Sequence, residues 1–129
     1  MNRNLFDNKS CGSGEVFISG RFRPNGSGAV DNTLNVGLFP FEVTRTGVGA
    51  FKLKLKNDDT AYQVKTWGGR VQDSTPNGDT VQPTTETIST NGELNIQVLD
   101  VTGAATDLAS ASTTWVQVDV VLKNTMVQP

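Results

Sequence analysis

The residues best suited to chemistry are carboxylates: Asp58 and Asp59 side by side in KNDDT, then Asp73, Asp79, Asp100 and Asp107. Two carboxylates that converge across a substrate can hydrolyse a glycosidic bond. These six, however, fall in or beside segments read as turns and connections, where an Asp bonds its own backbone and so needs no catalytic explanation. Calcium would require oxygens at short regular spacing, and no D-x-D-x-D-G run occurs. The chain has no histidine, which removes Ser-His-Asp and Cys-His catalysis, an imidazole proton shuttle and His-containing zinc sites. Its one cysteine, Cys11, sits in a polar Gly/Ser-rich segment without the cationic setting that activates a thiolate, and cannot close an intrachain disulfide. Gly26-Ser27-Gly28 lacks the Gly-Lys-Ser/Thr ending of a phosphate loop, the G-x-G-x-x-G spacing and a following helix. No catalytic residue, no metal and no cofactor is expected.

Tyr62, Trp67 and Trp115 are the aromatic side chains with a polar handle, and the best binding candidates. On alternating strands, Trp67 and Trp115 fall opposite the main apolar stripes. There they either form an exposed platform for a sugar or a protein, or cover a second sheet face.

The elements that must carry these residues are strands. Period-two alternation recurs, and a sustained helical period does not. Strands are expected over Val16–Arg23, Phe41–Arg45, Ala50–Lys56, Ala61–Gln72, Thr84–Ser89, around Leu94, Ile96 and Val98, and over Thr114–Asn124. In the third of these, Phe51, Leu53 and Leu55 face one way and Lys52, Lys54 and Lys56 the other. In the last, Val116, Val118, Val120 and Leu122 point inward while Trp115, Gln117, Asp119, Val121 and Lys123 point outward. Gly68-Gly69 suggests a bulge or sharp bend. Asn-Gly at 25–26, 77–78 and 91–92 marks turns, TRTGVG suits a hairpin loop, and GAATDLASAS has room for one helical turn. The fold expected is all-β: a single-domain antiparallel β-sandwich or barrel, residues 15–129, preceded by an extended N-terminal arm, residues 1–14. The arm holds two adjacent large apolar residues, Leu5 and Phe6, as potential anchors.

At 129 residues, with a formal charge of −2 and a pI near 4.9, the chain has room for one real core and no basic face for nucleic acid. Its eleven Lys and Arg residues are scattered. No apolar run approaches the roughly 20 residues of a membrane span, and the first residues lack the apolar region of a secretory signal. Neither nucleic acid nor membrane is an expected partner.

Three strings then suggest a relationship: GRFRPNGSGAVDNTL, FEVTRTGVGAFKLKL and LNIQVLDVTGAATDLASASTTWVQVDVVLKNT. They resemble small virion proteins of tailed bacteriophages, described as capsid decoration or head cement proteins. The resemblance runs from about Gly20 to Thr125 and is weakest over KTWGGRVQDSTPNGDTVQP, at Lys65–Pro83. It implies a jelly-roll-like, non-enzymatic structural protein on the outer surface of the virion head, bound to the major capsid protein as a homotrimer and bracing neighbouring subunits against DNA pressure. Under that implication Leu5 and Phe6 anchor the arm on the shell. Apart from the resemblance, the long polar loop carrying Asn25, Asp31 and Asn32 is expected to pack across a subunit boundary, and Trp67 and Trp115 complete the candidate contact residues. The alternatives are a carbohydrate-binding or adhesive module of a phage fibre, using Tyr62, Trp67 and Trp115, and a small hydrolase using paired aspartates.

Overall fold

The computed structural model describes residues 14–56, 62–73, 78–83 and 93–124. Seven strands form two antiparallel sheets: β1 (Glu15–Phe22), β7 (Trp115–Asn124) and β4 (Tyr62–Gln72) in the order β1-β7-β4, and β2 (Phe41–Gly47), β3 (Ala50–Leu55), β6 (Glu93–Leu99) and β5 (Thr80–Pro83) in the order β2-β3-β6-β5. The fold is a sandwich rather than a barrel. The first strand pairs with the last, and β3 pairs with β6.

Alternation sets the core. Ile18 and Phe22 of β1, Val64 of β4 and Val116, Val118, Val120 and Leu122 of β7 face Phe41, Val43, Phe51, Leu53, Leu94, Ile96 and Val98 of the other sheet, all buried. Phe22 and Phe51 meet edge to face across the gap, with ring centroids 4.9 Å apart at 62°. Fully burying side chains of this size contributes about 1.5–3 kcal/mol each. Lys54 stands exposed on the reverse face of β3, as the alternation requires.

Three expectations are corrected. Gly68 and Gly69 pair regularly with Asp119 and Val118, and the register shift lies between Val64 and Thr66, making Lys65 the extra residue. A one-residue insertion reverses every later side chain on its strand. Trp67 therefore joins Val64 on the inner face and packs half-buried against the core, while Thr66 turns outward. The segment from Gly103 to Ser112 holds no helical turn; apart from an isolated bridge between Ala105 and Leu99 it is irregular and ends in a turn at Ser112. A strand not expected, β5, spans Thr80–Pro83, whereas the expected strand at Thr84–Ser89 lies outside the described residues.

The long loop between β1 and β2 laces one side of the sandwich. β1 and β2 are edge strands of different sheets on that side. Val36 exchanges both backbone hydrogen bonds with Arg21 of β1, at 2.8 and 3.0 Å. Four residues earlier, the Asn32 side chain pairs with β2 as a peptide group would: Val43 N–H donates to its Oδ1 at 2.9 Å, and its Nδ2 donates to Val43 O at 3.0 Å. Asp31 caps the single 3-10 turn Asn32–Leu34 through Thr33 N–H, at 3.0 Å, which fixes the amide's approach. The loop presses so close that a Cβ on Gly20 would stand 2.2 Å from Val36 O. Replacing Asn32 by Ala should cost about 1–3 kcal/mol, the range for leaving such partners unsatisfied, and free the β2 edge for pairing with another chain. Denaturant unfolding and concentration-dependent size exclusion check both effects; an unshifted midpoint with a monomeric profile would show that the amide does not hold the edge.

Candidate interaction surface

Both ends of the sandwich expose apolar side chains, Val48 and Val101 at one and Val16 and Phe39 at the other, and the second set lines a groove between the sheets. At the end that carries the β2–β3 turn, acidic side chains pin loops. Asp107 accepts from Arg45 Nε at 3.1 Å and Nη2 at 2.7 Å, and from Gly49 N–H at 2.8 Å. Gly49 has φ +62°, and a Cβ there would lie 2.4 Å from Thr106 O, so the hairpin tip and the Asp107 segment need a glycine at their crossing. Asp100 closes its own turn by accepting from Thr102 Oγ1 at 2.6 Å and from the N–H groups of Thr102 and Ala104. Gly26 N–H donates to Leu108 O at 2.8 Å, joining the two long loops.

These contacts set the carboxyl groups' titration. The hydrogen bond from Arg45 holds Asp107 below the usual carboxylate range, helped by the Gly49 N–H. The Thr102 and Thr33 hydroxyls do the same for Asp100 and Asp31. Asp79 moves the other way, raised by burial and then by the nearby Asp73 and Asp100 charges. Among the described residues no three His, Cys, Asp or Glu side chains gather closely enough to hold a metal ion, and no helix is long and apolar enough to cross a membrane.

The opposite end is apolar at its rim. Val16, Phe39, Pro40, Leu55 and Tyr62 line a groove of about 470 Å³ between the sheets. Phe39 is 80% exposed and Val16 40% exposed, while Phe17, on the outer face of β1, is 48% exposed. β1 begins at this end, so residues 1–13, with Leu5 and Phe6, join the fold here; both anchors lie outside the described residues.

The outer face of the three-stranded sheet carries a second, polar surface. Reading across β1, β7 and β4, one row is Arg21, Gln117 and Arg70, and the next is Ser19, Asp119 and Gly68. Ser19 Oγ donates to Asp119 at 2.5 Å, and Arg70 Nε donates to Gln117 Oε1. These side chains border a groove of about 560 Å³. At its head the guanidinium carbons of Arg21 and Arg23 stand 4.4 and 4.9 Å from the centroid of the Trp115 ring. Cation–π stacking of this kind orients the guanidiniums while leaving their charge unneutralised.

The residues expected to make protein contacts thus separate. Trp115 is on the outer face, as the alternation indicates, but it is 8% exposed beneath the two arginines, with Nε1–H donating to Ser112 O at 2.9 Å. Trp67 lies against the core. Neither indole offers an open platform. Asn25 donates to Ala29 O at 3.0 Å within its turn, and Asp31 and Asn32 work inside the chain as described. The Arg21–Gln117–Arg70 row was hidden from the sequence because its members come from three strands; outward positions at 21, 70 and 117 acquire meaning only with the strand order. Comparison with family models, with curated proteins and with solved structures gives no match to this chain.

Because the folded value of Asp107 is depressed, its contacts stabilise the fold fully above about pH 4, the unfolded carboxyl range, and that contribution is lost as the pH falls through the lower folded value. Asp31 and Asp100 add in the same direction, and Asp79 opposes them. Asp107→Asn should lower the thermal midpoint at pH 7 by several degrees and flatten its decline below about pH 4. Thermal melts from pH 2 to 7 test this; parallel curves would deny Asp107 the role.

Proposed function

We propose that the chain is a non-catalytic structural protein of a tailed-phage virion that docks on the outside of the head, as a homotrimer, and braces neighbouring major-capsid subunits. The observation that carries this reading is the rim of exposed apolar side chains, Val16, Phe17 and Phe39, at the end where residues 1–13 join the fold. Exposed apolar residues gathered in one region are a mark of a contact surface. The described acids with lowered pKa, Asp31, Asp100 and Asp107, each hold a loop in place. The resemblance of the three sequence strings to decoration proteins agrees with the proposal. A trimer engaging several capsid subunits needs only modest strength at each contact, because the second and third attachments are intramolecular.

Capsids stripped of decoration should take up the purified protein saturably and in multiples of three. Phe39→Ser should weaken uptake by roughly tenfold, the equivalent of about 1.4 kcal/mol, without shifting the thermal midpoint, since that side chain makes little core contact. Co-sedimentation and a melt measure the two quantities. Absence of saturable uptake, or turnover of any substrate abolished by a single Asp→Ala change, would overturn the proposal.

A further inference from the structure

We infer that the groove on the outer face of the three-stranded sheet receives an acidic side chain of the protein partner, held between Arg21 and Arg70 above Gly68. The inference rests on the docking reading only for the identity of the partner; the groove itself is argued from its own residues.

The argument begins with charge. The groove is bordered by two arginines and one aspartate, and Asp119 already accepts a hydrogen bond from Ser19. Arg23 adds a further cation at its head, offset in part by the nearby Asp31 carboxylate. Arg21 makes no ion pair among the described residues, and its Nε is buried with no hydrogen-bond partner; the Arg23 Nε is in the same state. Both Nε atoms are shut off from solvent, so an acceptor in the groove meets the outer nitrogens of the guanidinium, whose planar fork suits a carboxylate. The Trp115 ring fixes the Arg21 side chain in advance, so little rotamer freedom remains to be lost on binding. Arg70 is likewise held, by Gln117, and its terminal nitrogens have no acceptor among the described residues.

Shape points the same way. Gly68 sits on the floor of the groove, exposed, and a Cβ added there would meet nothing within 4 Å. The sheet therefore presents a gap where a side chain would otherwise stand, opposite Asp119 and in the row next to that of Arg21, Gln117 and Arg70. A sugar is the weaker match, because the one indole on this face is covered by the guanidiniums instead of offering a flat ring. Phe17 lies on the same face of β1, two positions before Ser19, so the polar groove and the apolar rim form one continuous surface.

Poly-L-glutamate is a suitable probe, followed by tryptophan fluorescence and by amide chemical shifts. Saturable binding is expected, with shifts centred on Arg21, Gln117 and Arg70, and weakening at higher salt. Gly68→Phe should fill the gap and reduce affinity at least tenfold while leaving the thermal midpoint unchanged or higher; Arg70→Glu should reduce it at least as much. No saturation, or equal binding by both variants, would overturn the inference. Hyaluronan of matched charge binding as tightly as poly-L-glutamate would also overturn it, by assigning the groove to a polysaccharide. On stripped capsids, uptake of wild type with a tenfold loss in Gly68→Phe supports the inference; equal uptake of both refutes the groove and leaves the docking reading in place. Binding of poly-L-glutamate without uptake on capsids has the reverse meaning.

Discussion

The pairing of the Asn32 amide with the backbone of Val43 is the contact on which the shape of this protein turns. A sandwich of three and four strands has open edges, and an open edge is a template for unwanted pairing. Here one side is closed by a loop with no strand of its own. Val36 occupies the edge of β1 and Asn32 the edge of β2, so a polar connection does the work of an additional strand in both sheets. The composition that invites comparison with a phosphate cradle is the one such a strap needs: Pro24 and Gly26 turn it, Asp31 fixes the angle of Asn32, and Gly20 and Gly37 let two backbones touch.

The two ends of the sandwich are built differently, although each exposes apolar side chains. One end is tied down by Asp107, Asp100 and the Gly26–Leu108 bond. The other end exposes Phe39 and Val16, and along the outer face of β1 the surface passes from Phe17 to Ser19 to Arg21. Rigid loops at one end and an apolar rim continuous with a cationic groove at the other suit a part that stands on a surface. The chemistry argues similarly. The charged groups with strong local partners act on the fold, and those with an unmet donor, Arg21 and Arg23, face outward.

Much of this architecture was legible in the residues. Period-two alternation located β1, β2, β3, β4, β6 and β7, and assigned both faces of β7 correctly, because each strand buries one face against a core that admits few polar groups. The bulge at Lys65 was not legible. It exists only relative to β7, and it moved Trp67 from the outer face to the core. β5 is too short, at four residues, to show a period before Pro83 ends it. Trp115 was placed on the right face, but its cover of Arg21 and Arg23 follows from the β1–β7 register, which alternation alone does not supply. The same holds for the Arg21–Gln117–Arg70 row: each residue reads as an ordinary outward side chain until the strand order sets them side by side.

The central claim is that this sandwich stands on a phage head by its apolar end. Electron cryomicroscopy of the intact virion, at a resolution that distinguishes side chains, tests it most directly. The account predicts density for this fold at local threefold positions on the outer shell, with Val16 and Phe39 turned toward the major capsid protein and the β2–β3 turn toward solvent. Finding the protein in a tail fibre, or on the head with the Asp107 end against the shell, would contradict it.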